Sequence, residues 1–546
     1  MRKCKYSKGI EYVLIAVTVF FVFGTIYYTV FLSQQFTNSD IFDTLMWANA
    51  SYETKRIIAP DYNYAALLPF GASLLMLLFI KIFGLSFMAH ALGMAVFEII
   101  FFAVMIIFLR KLHFGVKSSC FAIIGMCGLW MCSDKMREMF MEHTIYYSLS
   151  ILFIMAGWVL LDSLEKAIES KKKNRFFIII VAVVFFLLVA TDGAQMLAIS
   201  TLPLLLGFAI ERFIDVKTPL FSKNNKSLIF SATIVLISSV VGLAVLKLLT
   251  RGVVSEYANE NSVYDSTGNI LDYVNKFSSY IKAWYTNLEV LFSENASLTD
   301  VNQLEPLLMW MLATVLILVL PINLILYNKI KSQDIKRLIS VTLSLRGVIF
   351  ALWVFGTISV AGWRLIPSIV MSFILLITDA VYLYRKVELK RFAVPIVVMI
   401  LVFSLNSYNY VLAYKPVKNA YEPYYDMITD IYNHNVKNGY ADFWIANEFI
   451  VLTKGDLEIE PESLAKGGNI CVKEYQNFKK KKYGTYNSPT FLALPSKYEE
   501  LFEGSEGYEK AKPYLTDKTS FKQYIGGYVV YYYSCDIYSI IGEQGE

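Results

Sequence analysis

The chain is short of charge and short of the residues that usually hold metals. Of its 546 residues, 17% are charged, against about 25% in ordinary soluble domains. That deficit excludes a chain surrounded on all sides by water. Four histidines occur, His90, His113, His143 and His434, scattered along the sequence. The six cysteines show no metal spacing, and Cys120, Cys127 and Cys132 lie inside one apolar run as packing residues. No HExxH, CxxC, Walker or GxGxxG pattern appears. Their absence removes the commonest zinc-hydrolase, dithiol, nucleotide and dinucleotide readings. The net charge of +5 is small, and the Lys and Arg sit in short loops between apolar runs. Nucleic acid is therefore not an expected partner. No fixed-period repeat is visible, so an inverted-repeat transporter has no support.

What is abundant is apolar surface: 56% of residues are hydrophobic, and mean hydropathy is +0.49. Surface of this kind needs lipid as its solvent. Crossing a hydrocarbon core of roughly 30 Å takes about 20 apolar residues. Runs approaching that length fall at approximately 10–32, 87–109, 118–132, 144–161, 176–190, 194–213, 227–249, 306–327, 339–360, 363–384 and 392–413. The sequence thus predicts an all-α polytopic membrane domain of about eleven spans. The first run ends in Tyr27 and Tyr28 with no small-residue cleavage site, and reads as a retained helix.

A twelfth apolar run, 65–83, decides the orientation. Arg2, Lys3, Lys5 and Lys8 place the N-terminus in the cytoplasm. If 65–83 crosses, every later basic cluster falls outside. If it lies along the outer surface, five consecutive basic loops fall inside: Arg110–Lys117, Lys166–Arg175, Arg212–Lys226, Lys329–Arg337 and Arg385–Arg391. The second arrangement is expected, and Pro69 and Gly71 suit a segment that does not cross as a clean helix. The exterior then holds a first loop, 33–86, with juxtamembrane helices, a short loop 133–143, a turn at 191–195, a large loop 250–305 and the tail from 414. The cytoplasmic loops read as short, basic and featureless.

Candidate chemistry therefore lies outside. Asp40 and Asp43 follow the first span closely, with Asp61 further on. A carboxylate fixed at the membrane face is well placed to act as a general base. The alternative is that Ser39 or Asp40 caps a helix over 41–52. The second loop, SDKMREMFMEHTIYY, crowds Asp134, Lys135, Arg137, Glu138, Glu142 and His143 between two apolar helices. At helical spacing Asp134 and Glu138 share a face, as do Glu138 and Glu142. An interfacial cluster of internal ion pairs is the competing reading. Asp192 and Gln195 occupy a turn between spans, where Asp192 caps the following helix. Arg364, in AGWRLIP, either binds a phosphate through its planar fork or snorkels to fix helix depth. Glu98 and His90 read as satisfied packing residues of the second span, and Glu98 and Lys247 are the main ionisable groups expected deep in the helices. Asn49 and Asn295 match a glycosylation tripeptide that arises often by chance.

The tail from 414 to 546 is polar, rich in Tyr and broken by Gly and Pro. Residues 455–460 and YVVYYYSCDIYSII alternate as strands do, and 421–436 reads as a helix. A small α/β domain is expected. Its tyrosines and Trp444 either stack on sugars or belong to strands and the membrane surface. Cys471 and Cys535 both lie here, and the sequence leaves their pairing open.

Three features together resemble the GT-C class of membrane glycosyltransferases, which includes protein O-mannosyltransferases and oligosaccharyltransferases. They are the carboxylate soon after span one in NSDIFDTLMWANASYE, the third span leading into the acidic loop DKMREMFMEH, and the exterior C-terminal domain. The first half, to about residue 215, resembles it best. More narrowly, SDIFDTLMWANA, APDYNY, REMFMEHTIYYSL and GYADFWIAN look similar to a bacterial branch of that class. The resemblance implies a polyprenyl-phosphate-linked sugar as donor, an envelope glycan or other acceptor, and inverting transfer on the outer face of the plasma membrane. By position it implies Asp40 as base with Asp43 as fallback, and Glu138 or Asp134 as the second carboxylate. Arg364 and Arg137 would hold the donor phosphate, and Asp61, His143 and Gln195 would line the substrate. The acidic loop lacks a clean Asp-x-Asp or Asp-Glu pair, so no cofactor is firmly implied, though a divalent cation stays open. The competing functions are a transporter or flippase of a lipid-linked glycan, and a non-catalytic envelope protein that binds polymer. The first would need a polar path through the midplane; an enzyme needs its carboxylates together in one outward cavity.

Overall fold

The fold is taken from a computed structural model that describes residues 2–170, 174–216, 225–253, 270–290, 304–356, 361–386, 389–415, 421–465, 467–473, 486–517 and 527–542. Most of the large loop 250–305, Asn295 included, lies outside the described residues. The helices, in chain order, are α1 (Arg2–Tyr27), α2 (Ser39–Thr54), α3 (Ser73–Phe83), α4 (Phe87–Lys111), α5 (Val116–Met131), α6 (Asp134–Arg137), α7 (Tyr146–Glu169), α8 (Arg175–Thr191), α9 (Gly193–Ile199), α10 (Thr201–Val216) and α11 (Lys226–Leu249). They continue as α12 (Ile270–Thr286), α13 (Leu304–Leu326), α14 (Gln333–Val354), α15 (Ile366–Arg385) and α16 (Lys390–Leu412).

Among the described residues nine helices are long and apolar enough to cross a membrane. A tenth arises if Val116–Met131 and Asp134–Glu142, which meet at 114°, count as one broken span. The segment 175–191 is one residue short of that length test and accounts for the eleventh expected run. The protein is thus a mostly helical, multi-pass membrane protein. The twelfth run resolves into an irregular stretch followed by α3, only 11 residues. At 1.5 Å per residue α3 spans roughly 16 Å, half of what a crossing needs.

The spans are held by devices invisible to a hydropathy count. Gly207 leaves no room for a Cβ against Val341, so α10 and α14 approach backbone to backbone. Pro321 inside α13 has no N–H and strands the carbonyl of Ile317. The Arg346 guanidinium of α14 donates to that oxygen at 3.2 Å, and stacks on Trp284 at 4.6 Å. Arg346 is therefore a deep ionisable group beyond the expected pair. Lys247 corrects the expectation in the other direction, because it sits in the last turn of α11. Glu98 is fully buried and accepts from Thr29 of the π-helical turn Tyr28–Leu32 that ends the first span.

The supposedly featureless basic end of the bundle holds a buried ion network. Arg337 donates to Glu211 (3.0 Å), Asp162 (3.2 Å) and Glu165 (3.0 Å), drawing α7, α10 and α14 together. Lys111 and Lys166 also bind Asp162, and Arg212 binds Glu165.

The C-terminal part begins with α17 (Glu422–Asn433), β1 (Asn438–Asp442), α18 (Phe443–Leu452), β2 (Glu458–Leu464), β3 (Ile470–Val472) and β4 (Thr490–Pro495). It ends with α19 (Glu499–Glu503), α20 (Glu506–Ala511), β5 (Leu515–Asp517), β6 (Tyr528–Tyr533) and α21 (Tyr538–Ile541). One six-stranded sheet runs β3-β2-β1-β4-β6-β5, with β1 parallel to β2 and β4 and the outer pairs antiparallel. Period-two alternation builds both of its cores. Phe491, Ala493, Val530 and Tyr532 face one, while Leu492, Leu494, Tyr531 and Tyr533 face the other. Tyr531, Tyr532 and Tyr533 are fully buried, so these tyrosines are core residues and not a sugar platform. Cys471 and Cys535 are not bridged to each other. The Cys535 carbonyl lies on Thr490 at the start of β4, three strands from β3. That is about 14 Å at the usual strand spacing, beyond disulfide reach.

Candidate active site

Four separate segments meet at one end of the bundle. Asn38 is the helix cap that starts α2, its side chain accepting from Ile41 N at 3.1 Å. The expected cap at Ser39 or Asp40 is thereby corrected, and both residues are released for other work. Ser39 ties α2 to the C-terminal part: its hydroxyl donates to the Phe443 carbonyl and accepts from Asn447 N at 3.2 Å. Thr37 donates to Glu448 at 2.7 Å beside it. Asp40, in the first turn of α2, is only half-buried.

Asp40 faces the second loop. Its carboxyl is pushed up to about 6, first by burial and then by the negative charge of Glu138, while Lys135 and Lys473 pull the other way. Lys135 is ion-paired with Glu138, and its ammonium lies 5.0 Å from the centre of the Trp363 ring. That contact brings in the turn carrying Arg364. Ser133 donates to the Asn287 carbonyl at 2.7 Å, and Asn287 donates to Gly362 at 2.8 Å, fixing loop, turn and α12 together.

Lys473 comes from just beyond β3 and lies 5.0 Å over the Phe443 ring. Near it are Asp442 and Glu462, register partners on β1 and β2. Asp442 accepts from Trp444 N at 3.1 Å, starting α18 at the carboxyl end of β1, where parallel strands generally present ligand sites. The Glu462 carboxyl is pushed up to about 8 by burial and by Asp442. Its Oε2 is buried without a hydrogen-bond partner. Trp444 is 51% exposed and Trp363 39%, so two indoles border the group on opposite sides.

The remaining expected residues fall into two sets. Asp43 and His143 are both buried one layer in, 3.9 Å apart. Burial holds the His143 imidazole down to about 3, so it is neutral, and neither ring nitrogen has a hydrogen-bond partner. Glu142 accepts from Tyr28 at 2.6 Å, and its carbonyl accepts from His90 at 2.8 Å, which makes it part of the packed wall. The second set is spent elsewhere. Arg137 is 1% exposed, donating to the Met131 carbonyl at 2.8 Å and pairing with Asp134. It braces the sharp turn out of α5, which corrects its expected role at a donor phosphate. Asp192 accepts from Phe70 N at 2.7 Å and anchors the irregular stretch before α3, correcting its expected cap. Gln195 is exposed on α9, which packs on α8 and α10. Asp61 is half-buried in the connection between α2 and α3, next to Tyr62, whose buried ring faces Asp43.

Further along α2, away from Asp40, a cleft of about 680 Å³ separates α2 and α3 from α18 and β2. Asn49, Tyr52, Glu53 and Tyr62 line one wall, and Lys454, Glu458 and Glu460 the other. The contribution of Asp442, Glu462 and Lys473 was missed from the sequence. GYADFWIAN carried Asp442 as a resemblance, but nothing local tells that β1 ends against α2.

Comparison with solved structures places the geometry. The chain is similar to the oligosaccharyltransferase of Archaeoglobus fulgidus in its apo form, with a TM-score of 0.52 and 11% identity. The similarity covers 89% of this chain and 70% of that one. The fold is the GT-C fold. No protein-family model matches the chain, and no curated protein matches it by sequence. The expected mannosyltransferase likeness has no support beyond this shared fold.

Among the described residues a divalent cation finds no ligand set, since no three His, Cys, Asp or Glu side chains stand together. Between Asp40 and Glu138 the cationic position is taken by Lys135.

Proposed function

We propose that the protein is a membrane glycosyltransferase that moves a sugar from a polyprenyl-phosphate-linked donor to an envelope acceptor on the outer face of a bacterial plasma membrane. The observation that carries this reading is the meeting of Asp40, Glu138, Lys135 and Lys473 at one end of a GT-C bundle. Residues 1–413 are read as the transmembrane domain, with a cytoplasmic N-terminus, and 414–546 as an extracytoplasmic domain that closes over Asp40.

The chemistry follows from what each group can do. Ionised Asp40 takes the proton from an acceptor hydroxyl. That oxygen attacks the anomeric carbon as the bond to the phosphate oxygen breaks, and direct displacement inverts the centre. A glycosyl phosphate leaves as a stable anion and needs a nearby cation more than an acid. Lys135 is the nearest half-buried ammonium, with Arg364 on the adjoining turn as a second cation. Asp442 and Glu462 offer acceptors for sugar hydroxyls, and the exposed faces of Trp363 and Trp444 suit sugar stacking.

Transport fits less well. The ionisable groups within the helices are met separately, Glu98 by Thr29, Arg346 by the Ile317 carbonyl and Asp379 by Asn323. Among the described residues they form no continuous path through the midplane. The test is donor class. Reconstituted protein should transfer radiolabelled sugar from polyprenyl-phosphate donors and not from nucleotide sugars. Transfer from nucleotide sugars alone, or translocation of donor without transfer, would overturn the reading.

A further inference from the structure

The end of the bundle away from Asp40 carries a second concavity that the transfer chemistry does not use. It is a groove of about 490 Å³ between α13, α15 and α16. α15 begins beside Trp363 and runs 20 residues to Arg385. Its far end is therefore roughly 30 Å from the Lys135 contact. The walls are aliphatic, among them Leu318, Ile322, Leu326 and Ile396, with Ile322 50% exposed on the outside of the bundle. A groove of this kind, on the outside of a membrane bundle, is open to lipid.

Its mouth is basic. Lys329 closes one side and Lys386 the other, both exposed. Lys386 lies 4.4 Å over the Tyr382 ring, which holds its ammonium above the groove. The contrast with the four basic residues of the ion network at this end is informative. Lys111, Lys166, Arg212 and Arg337 are all neutralised by Asp162, Glu165 and Glu211. Among the described residues neither Lys329 nor Lys386 has a carboxylate within ion-pairing distance, so the groove mouth keeps its positive charge. Deeper, Asn323 donates to Asp379 at 2.5 Å. The amide satisfies that carboxyl inside the groove and leaves the two lysines to an outside anion.

We propose that this groove binds an anionic phospholipid of the leaflet opposite Asp40, with one acyl chain along Leu318 and Ile322 and the phosphate between Lys329 and Lys386. Apolar walls select a lipid, and the two free ammoniums select an anionic head over a zwitterionic one. The inference stands independently of the sugar-transfer reading.

The test uses full-length protein in detergent, titrated with dioleoyl phosphatidylglycerol, dioleoyl phosphatidylcholine or inorganic phosphate, with bound lipid counted by native mass spectrometry. Phosphatidylglycerol should bind in preference to phosphatidylcholine. Lys329→Gln with Lys386→Gln should weaken it about thirtyfold, roughly fivefold for each lysine. Ile322→Trp, which fills the groove and leaves its charge alone, should lower binding of both lipids. Lys390→Gln, a base outside the groove, should leave affinity unchanged. Equal binding of the two lipids, unchanged affinity in the double variant, or equal loss with Lys390→Gln would overturn the proposal. Binding of phosphate alone at comparable strength would replace the lipid groove with a free-anion site and equally overturn it.

Discussion

The pH dependence of transfer should carry the mark of Asp40's surroundings. Burial and Glu138 raise its carboxyl to about 6, and Lys135 and Lys473 oppose them. A base must be ionised to act, so kcat/KM should fall tenfold per pH unit below about 6. Two variants should move that limb in opposite directions. Glu138→Gln removes the charge that raises Asp40 and frees Lys135 from its ion pair, so the limb moves down. Lys135→Met removes a charge that lowers Asp40 and leaves Glu138 uncompensated, so the limb moves up. Partly solvated charges at this range are worth about 1 kcal/mol, which is a shift of roughly half to one pH unit each way. The assay is initial-rate sugar transfer by reconstituted protein between about pH 4.5 and 8.5, at donor below KM. A limb near 4 in the wild type, the value of an unperturbed carboxylate, would refute the reasoning. So would two variants that move the same way. Stability supplies a control of known sign. A raised folded-state value means that Asp40 favours folding below about 4, and that this contribution is lost as pH rises through about 6. Asp40→Asn should therefore unfold at the same or a higher temperature than wild type at neutral pH.

Other perturbations test the scaffold. Arg337→Met should cost about 3–5 kcal/mol in thermal unfolding, because it removes the cation shared by three buried carboxylates, Asp162, Glu165 and Glu211. A loss below about 1 kcal/mol would show the network to be dispensable. Arg346→Met should cost about 1–3 kcal/mol by leaving the Ile317 carbonyl without a donor, and Pro321→Ala in the same chain should restore much of it. Failure of that rescue would mean that Arg346 acts through Trp284 instead. Cys471 and Cys535 should both react with a thiol reagent after unfolding without reductant, since three strands separate them.

How much of this was legible in the sequence depended on whether the signal was local. Apolar run length located each span, with ends off by as much as six to eight residues at Gln333–Val354 and Tyr146–Glu169, and period-two patterning in YVVYYY marked a strand. The sequence also set 65–83 apart, through the sides on which the basic loops fall and through Pro69 and Gly71, and α3 is only 11 residues long. Pairings between distant segments were not legible. Arg337 read as one more basic loop residue, since its three acids lie on α7 and α10. Arg137 read as an outward cation because its neighbours in sequence are charged, yet the turn out of α5 folds it under Met131. Lys473 and Asp442 join Asp40 only because Ser39 and Thr37 dock α2 on α18. Asp40 was singled out by its distance from the first span. Its half-exposed position follows from Asn38 taking the cap.

The most direct measurement is sugar transfer by wild type and Asp40→Asn at matched expression in membranes, from a polyprenyl-phosphate donor to envelope acceptors. A general base of this kind contributes about 10²–10⁴-fold, so label should fall by that factor in the variant. Equal labelling from both proteins would contradict the assignment of Asp40, and no labelling above empty membranes from either would contradict the glycosyltransferase reading.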